Sequence, residues 1–384
     1  MGGVVNQPAL SGMPRPARQV LGTTSAFGRT LIDDADAATA RTTLGVTQQG
    51  NKNAVINGGF RIGQRGTSFT SATTPANSDD TYLLDRWVLL SDGDDAVDVT
   101  QETGTLPTGS YAAVRLDVET ANKKFGIMQV LEARDAAALI GGTVSLSFKA
   151  RRTGTSIDHL RAAVLAWDST ADTVTSDVVS AWEAAGTDPT LVANWTYENT
   201  PASLATLTTS YQTFTIENIS IDTASAANVA VFIWSDDVTT TTGDFLYIAD
   251  VQLELGVIAT PFERRYMAKE LVLCQRYYTK TFPQGTVPAD NAGNSGSFMG
   301  AGVRTGDDEP IANWRFLIIM RVAPTITRYN PGSGTAGEWG NGASVGAAAR
   351  TVNITDSSVI IDNSGTVLAA ATQWHIAVQA DAEL

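Results

Sequence analysis

The chain has 384 residues, 43% of them apolar, which is enough for two or three domains with their own cores and excludes an intrinsically disordered protein. Only 17% of residues are charged, yet the formal balance is −14, so a broad affinity for polyanionic nucleic acid is disfavoured. The single cysteine, Cys274, excludes an intramolecular disulfide framework and a thiolate-rich metal site.

No run approaches the roughly 18 uncharged apolar residues of a membrane span, and the first residues lack the basic-then-apolar profile of a signal peptide. No membrane insertion is expected, and folding in a reducing cytoplasm suits the cysteine count. Residues 1–20, with Pro8, Pro14 and Pro16, show no periodicity and read as an extended or docked segment. From Asp33 the text becomes DDADAATARTTLG, where an aspartate caps, alanines favour and Gly45 closes one short helix. Its apolar stripe, Ala37, Ala40 and Leu44, is too narrow to be stable without neighbours.

Residues 51–265 carry successive strand patterns: RWVLLS, YAAVRLDV, GTVSLSFKAR, HLRAAVLAW, QTFTIENISI, NVAVFIW and DFLYIADVQLEL, separated by polar turn clusters. Val144, Leu146 and Phe148 alternate with Ser145, Ser147 and Lys149, the mark of an antiparallel strand with one solvated face. The expected fold is mainly β, an antiparallel sandwich of jelly-roll, carbohydrate-binding-module type. Residues 170–203 read as a long loop excursion from it.

MAKELVLCQRYY places Leu271, Cys274 and Tyr278 at helical intervals and predicts a connecting helix within 266–281. Residues 282–384 return to β character with WRFLIIM, PTITRY, TVNITD, SVIIDN and QWHIAVQA, a smaller distal β-domain. WRFLIIM is apolar on both faces, more than about 100 residues can cover alone, so it predicts an oligomer. With residues 1–50 as a separate segment, four parts result.

Two segments carry a family resemblance. LGTTSAFGRTLIDDADAATARTTLG resembles the N-terminal attachment segments of tailed-phage tail fibres. NAVINGGFRIGQRGTSFT with YLLDRW, and GDFLYIADVQLELGVIATPFERR with ELVLCQRYY, look like the start and end of a β-sandwich module common in phage tail-fibre and spike proteins. WRFLIIMRVAPTITRYNP and HIAVQADAEL resemble distal fibre domains, and residues 97–244 resemble little.

The resemblance implies a virion subunit assembled in the host cytoplasm. It implies a homotrimer whose proximal end, with Phe27, Leu31, Ala37, Ala40 and Leu44, docks on a phage tail, baseplate or head protein. It also implies outer β-domains that touch host surface polysaccharide. A threefold assembly satisfies the lone helix and the doubly apolar strand with one symmetry operation.

A sugar offers apolar C–H faces ringed by hydroxyls, so its site needs an exposed aromatic ring beside planar hydrogen-bonding side chains. Two stretches qualify: Trp182, Asn194, Trp195, Tyr197 and Asn199 in the excursion, and Trp339 with Asn341 in GTAGEWGNG. The alternative is that these rings anchor long loops on the core. Trp87, Trp234 and Trp374 sit in strand patterns and read as core.

No catalytic residue, cofactor or metal is expected. His159 and His375 fall in strand patterns without a triad signature. The aspartate clusters 79–80, 92–95, 236–237 and 307–309 read as solvated turns, with no calcium-loop order. INGGFRIGQRG lacks the Lys-Ser or Lys-Thr of a phosphate loop, and Arg61, Arg65 and Arg86 read as ties to acidic neighbours or an adjacent subunit. The function classes are therefore an adhesive appendage subunit, a polysaccharide depolymerase, or a structural head fibre or decoration protein.

Overall fold

The computed structural model describes residues 52–384, apart from 205, 225, 302–309, 333, 342–345 and 364–372. The expected N-terminal helix and its docking residues Phe27, Leu31, Ala37, Ala40 and Leu44 lie outside the described residues. The chain divides into two compact units, 1–52 and 53–384. The second unit, 53–384, holds every strand and helix below.

That unit is mainly β and antiparallel. Its sandwich is built from β1 (Ser68–Phe69), β2 (Thr81–Tyr82), β3 (Val88–Ser91), β4 (Val97–Glu102), β5 (Ala113–Val118), β6 (Phe125–Leu131) and β7 (Thr143–Thr153). It continues with β8 (Leu160–Trp167), β9 (Val179–Ala181), β10 (Thr190–Leu191), β11 (Trp195–Tyr197), β12 (Gln212–Ser220), β13 (Asn228–Ser235) and β14 (Phe245–Leu255). The first sheet runs β1-β4-β5-β14-β7-β12 and the second β11-β8-β13-β6-β3-β2. Between them lies the main core, with Leu116, Leu146, Phe148, Val164, Ile233 and Leu253 in contact. A short helix, α1 (Ala133–Ala136), follows β6.

The strand strings explain why the two sheets differ. β7 alternates, so one face meets the core and the other presents Ser145, Ser147, Lys149 and Arg151. β8 and β13 are buried at every position. The second face of their sheet carries a separate apolar cluster, including Met128 of β6 with Leu165, Phe232 and Trp234. The excursion folds back over it, so residues 170–203 form a cover on the second sheet instead of a projecting loop.

The predicted connecting helix is present as α2 (Met267–Gln275), with Cys274 fully buried against Ile56, Ile62 and Tyr277. The C-terminal body follows: β15 (Tyr278–Lys280), β16 (Phe298–Ala301), β17 (Pro310–Arg315), β18 (Thr325–Tyr329), β19 (Trp339–Gly340), β20 (Gly346–Ala347), β21 (Ala349–Val352), β22 (Ser358–Asn363) and β23 (Gln373–Asp381). β23 pairs with β15, β16, β18 and β19, and β22 lies between β17 and β21.

Its end returns to the sandwich. Arg65 pairs with Asp381 at 2.8 Å and Glu383 at 3.4 Å, and Arg86 pairs with Glu383 and donates to Val130 O at 2.5 Å. The Arg86 guanidinium lies 3.6 Å over the Tyr277 ring, and Tyr82 OH donates to Leu384 O at 3.0 Å. The expected tie to acidic neighbours is thus made within the chain by Arg65 and Arg86, whereas Arg61 donates to Arg265 O at 3.3 Å instead.

Two sequence expectations are corrected. WRFLIIM is not one doubly apolar strand: β17 ends at Arg315, and the backbone then bridges to a turn, with Phe316 N donating to Ser357 O (3.0 Å) and Met320 N to Asp356 O (2.8 Å). Out of the ladder, Leu317 and Ile319 stay 89% and 59% exposed while Met320 is buried. His159 precedes β8 and is exposed, its Nδ1 3.1 Å from Asp237. Trp87, Trp234 and Trp374 are core residues, as their strand patterns predict.

Candidate functional site

The site begins with a break in alternation. Along β14, Leu246, Ile248, Val251 and Leu253 face the core, so the inward spacing changes from two to three at Asp250. The ladder to β7 shifts register between Ala249 and Gln252, and Asp250 takes a positive φ of 51°. A bulge of this kind re-aims a side chain. The Asp250 carboxylate is buried, and both of its oxygens accept from Ser110 Oγ at 2.8 Å. Lys149 Nζ donates to it at 2.8 Å, and Arg264 lies 3.6 Å away.

Around this carboxylate opens a shallow cleft, lined among others by Gly59, Arg61, Tyr111, Phe262 and Arg264. The segments that form it explain the glycine pair in INGGF. Val251 N donates to Gly58 O at 2.8 Å, and a Cβ on Gly58 would meet Val251 O at 2.1 Å, so only glycine permits this approach. The paired arginines of FERR diverge. Arg265 turns inward to Val55 O and Glu270, whereas Arg264 crosses the rim to Gly109 O at 2.7 Å. Tyr111 is 68% exposed, with the Arg61 guanidinium 4.4 Å from its ring centroid.

An exposed ring beside guanidinium, carboxylate and hydroxyl groups is the combination a sugar requires. It brings together Gly59, Arg61, Tyr111, Asp250 and Phe262, none of which the sequence pointed to as a sugar site, Arg61 having been read only as a structural tie. The available signal was the interrupted alternation IADVQL.

The outer face of the first sheet continues from Lys149. Register sets Arg115, Tyr247 and Arg151 side by side on β5, β14 and β7, with Asp98 opposite Asp117 and Phe245 opposite both Asp117 and Thr153. Arg151 lies 3.6 Å over the Tyr247 ring and Arg115 5.2 Å over Phe245. Burial, followed by repulsion from Glu119, Asp95 and Asp117, pushes the Asp98 carboxyl up to about 6.

The residues expected to hold glycan lie elsewhere. Trp195 is 5% exposed and packs on Trp167 at 5.4 Å between ring centroids, and Trp182 is half-buried, edge-on to Phe232 at 6.0 Å. Tyr197 OH donates to Pro189 O at 2.8 Å. Asn199 accepts from Val164 N at 2.8 Å and donates to Ala162 O, which closes the edge of β8. Trp182, Trp195 and Tyr197 do meet, but against the second sheet, and Asn194 is exposed at a φ of 73°. Trp339 is fully buried, its indole N–H donating to Asp362 O at 3.0 Å, and Asn341 beside it is half-buried. Trp195 and Trp339 are therefore corrected to loop anchors, because neither ring has a free face for a sugar.

Asp236 departs from the solvated-turn expectation. It is buried, where desolvation alone would raise its carboxyl, but Arg161 at 2.8 Å and Lys124 at 3.0 Å outweigh burial and hold it low. The cluster 307–309 lies outside the described residues. His375 Nδ1 is 3.1 Å from Ser297 Oγ, with no carboxylate on the ring among the described residues. No group of three metal-ligating side chains occurs among the described residues, and no helix there is long and apolar enough to cross a membrane.

No protein-family model matches the chain, and no curated protein does. Among solved structures it is similar to the enzymatically active domain of tailspike protein 4 of bacteriophage CBA120, at 15% identity over 53% of this chain and 22% of that chain, with a TM-score of 0.32. A xylan-binding domain of carbohydrate-binding module family 22 matches at 13% identity, 48% of this chain and 95% of that one, TM-score 0.30. A family 4 carbohydrate-binding module matches at 15%, 52% and 98%, TM-score 0.29. At these scores the likenesses have no weight for function.

Proposed function

We propose that this chain is an adhesive, structural subunit of a phage virion appendage that binds host surface polysaccharide through the Tyr111 cleft. The observation that carries the binding is the exposed Tyr111 ring, flanked by Arg61 and by the Ser110–Asp250–Arg264 cluster. The appendage role is supported by the resemblance of residues 21–45 to fibre attachment segments, with Phe27, Leu31, Ala37, Ala40 and Leu44 as the docking residues of a homotrimer. Each subunit contributes a shallow site, and several copies convert weak contacts into avidity.

The test is retention of the purified full chain on host cells and on their extracted polysaccharide, with its mass in solution measured alongside. Retention that falls at least about tenfold in Tyr111→Ala supports the reading, given the weight of one sugar–aromatic contact. A monomer that ignores host envelopes in both forms would leave only a spacer role.

A second reading, polysaccharide depolymerase, is favoured by the Asp98–Asp117 pair. Glycoside hydrolysis uses paired carboxyls of which one ionises less readily than the other, and Asp98, directly opposite Asp117, is raised to about 6 by burial and by its acidic neighbours. Shortening of the polymer during incubation, abolished in Asp98→Asn, would establish it over simple adhesion.

A further inference from the structure

Burying a guanidinium without a counter-charge is costly, and the chain avoids it almost everywhere. Arg65 and Arg86 pair with Glu383, Arg161 pairs with Asp236 and Asp188, and Arg265 pairs with Glu270. Arg151 is 6% exposed, as deeply placed as these, and makes no ion pair among the described residues. Its Nε has no hydrogen-bond acceptor, and its neighbours are two tyrosines: the Tyr247 ring at 3.6 Å and Tyr211, whose ring lies at 5.2 Å and whose hydroxyl meets the guanidinium.

Two strands away on the same face, Arg115 Nε is likewise buried without an acceptor, and among the described residues its Nη2 makes a long 3.4 Å contact with Thr100 Oγ1. In the adjoining row, Asp117 Oδ1 and Thr153 Oγ1 are buried and unpartnered. These four orphaned atoms share the outer face of the first sheet, beside Tyr247 and Phe245. Buried polar groups are normally satisfied by protein, water or ligand, so four orphaned atoms on one face mark a place for a polar partner.

We propose that this face binds an acidic glycan, with a sugar oxyanion seated against Arg151 and within reach of Arg115. The planar guanidinium matches a carboxylate through two parallel N–H···O bonds, and stacking on Tyr247 fixes its plane beforehand. The half-buried Phe245 edge supports the ring's C–H face. This assignment rests on the proposed glycan-binding function and adds the chemical class of the ligand. Because the whole chain carries −14, attraction of a polyanion is local to the two guanidiniums, and affinity should depend only modestly on salt.

The test is calorimetric titration of the full chain with four probes: oligogalacturonate, the same oligomer after carboxyl reduction, a sulfated carrageenan oligosaccharide and its desulfated counterpart. The expected result is that at least one charged oligomer binds about tenfold or more tighter than its neutralised counterpart. The carboxylate and sulfate arms tell the two oxyanions apart. Arg151→Gln should erase that gap, while Tyr111→Ala weakens charged and neutral oligomers equally. Equal affinity for charged and neutral forms in the wild-type chain would overturn the acidic assignment and leave glycan binding intact. Failure of all four, together with no retention on host polysaccharide, would remove the underlying function as well. Neither comparison depends on a variant folding.

Discussion

The two outer faces of the sandwich have the same strand geometry and opposite fates. On the second sheet, β8 and β13 present Leu165, Phe232 and Trp234 outward, and residues 170–203 with Leu384 seal them into a second core. On the first sheet the outward positions are Arg115, Tyr247, Lys149 and Arg151, and no segment among the described residues seals them into an apolar core. Continuous apolar strands require a cover, and alternating strands leave a face for solvent or ligand. The contrast is written in the strands, and the length of the β8–β12 connection follows from it.

The largest effect that would break this comparison lies on the covered face. Trp234→Ala removes a fully buried ring stacked on Phe232 at 4.6 Å and should cost about 3–5 kcal/mol in urea unfolding. A cost under about 1 kcal/mol would mean that the excursion is not a true second core. Trp195→Ala should lose about 3 kcal/mol for the same reason, since this ring is the anchor of the cover.

The open face should respond to pH more than to packing. The Asp98 carboxyl is held at about 6 by burial and by Glu119, Asp95 and Asp117, above its ordinary value, so the fold disfavours its ionised form. Stability from this group is greatest below about pH 4 and declines as pH rises through 6. Asp80, raised to about 7 by burial and by Asp79 and Asp177, acts in the same direction. Asp98→Asn should flatten part of the decline and raise stability at pH 7 by less than about 1 kcal/mol, because the group is partly solvated. Melting curves at pH 4 to 7 that run parallel in both forms would contradict this. The smallest effect is expected for Tyr111→Ala, within about 0.5 kcal/mol of wild type in melting, since its ring is mostly exposed.

Much of this architecture was legible in the sequence. The alternation of Val144, Leu146 and Phe148 with Ser145, Ser147 and Lys149 identified a half-solvated strand, and the apolar runs of β8 and β13 appeared as strands. Periodicity does not report which chain segment lies on top, so Trp195 and Trp339 looked available where folding buried them. The cleft was hidden for a related reason. Gly59, Tyr111, Asp250 and Phe262 are brought together by pairing across about 200 positions, and a residue's neighbours on adjacent strands are not encoded in its own spacing. Arg151 belongs to a recognisable polar face, but its missing counter-ion becomes visible only once the partners of Arg65, Arg86, Arg161 and Arg265 are known.

The clamp at the end of β23 bears on how the molecule is made. Arg86 and Arg65 leave the ribosome 297 and 318 residues ahead of Glu383, an interval on the order of tens of seconds at ordinary elongation rates. Until that carboxylate arrives, the opening segment of the nascent sandwich carries guanidiniums that lack their counter-charge, so its last step of maturation waits for translation of the C-terminal body.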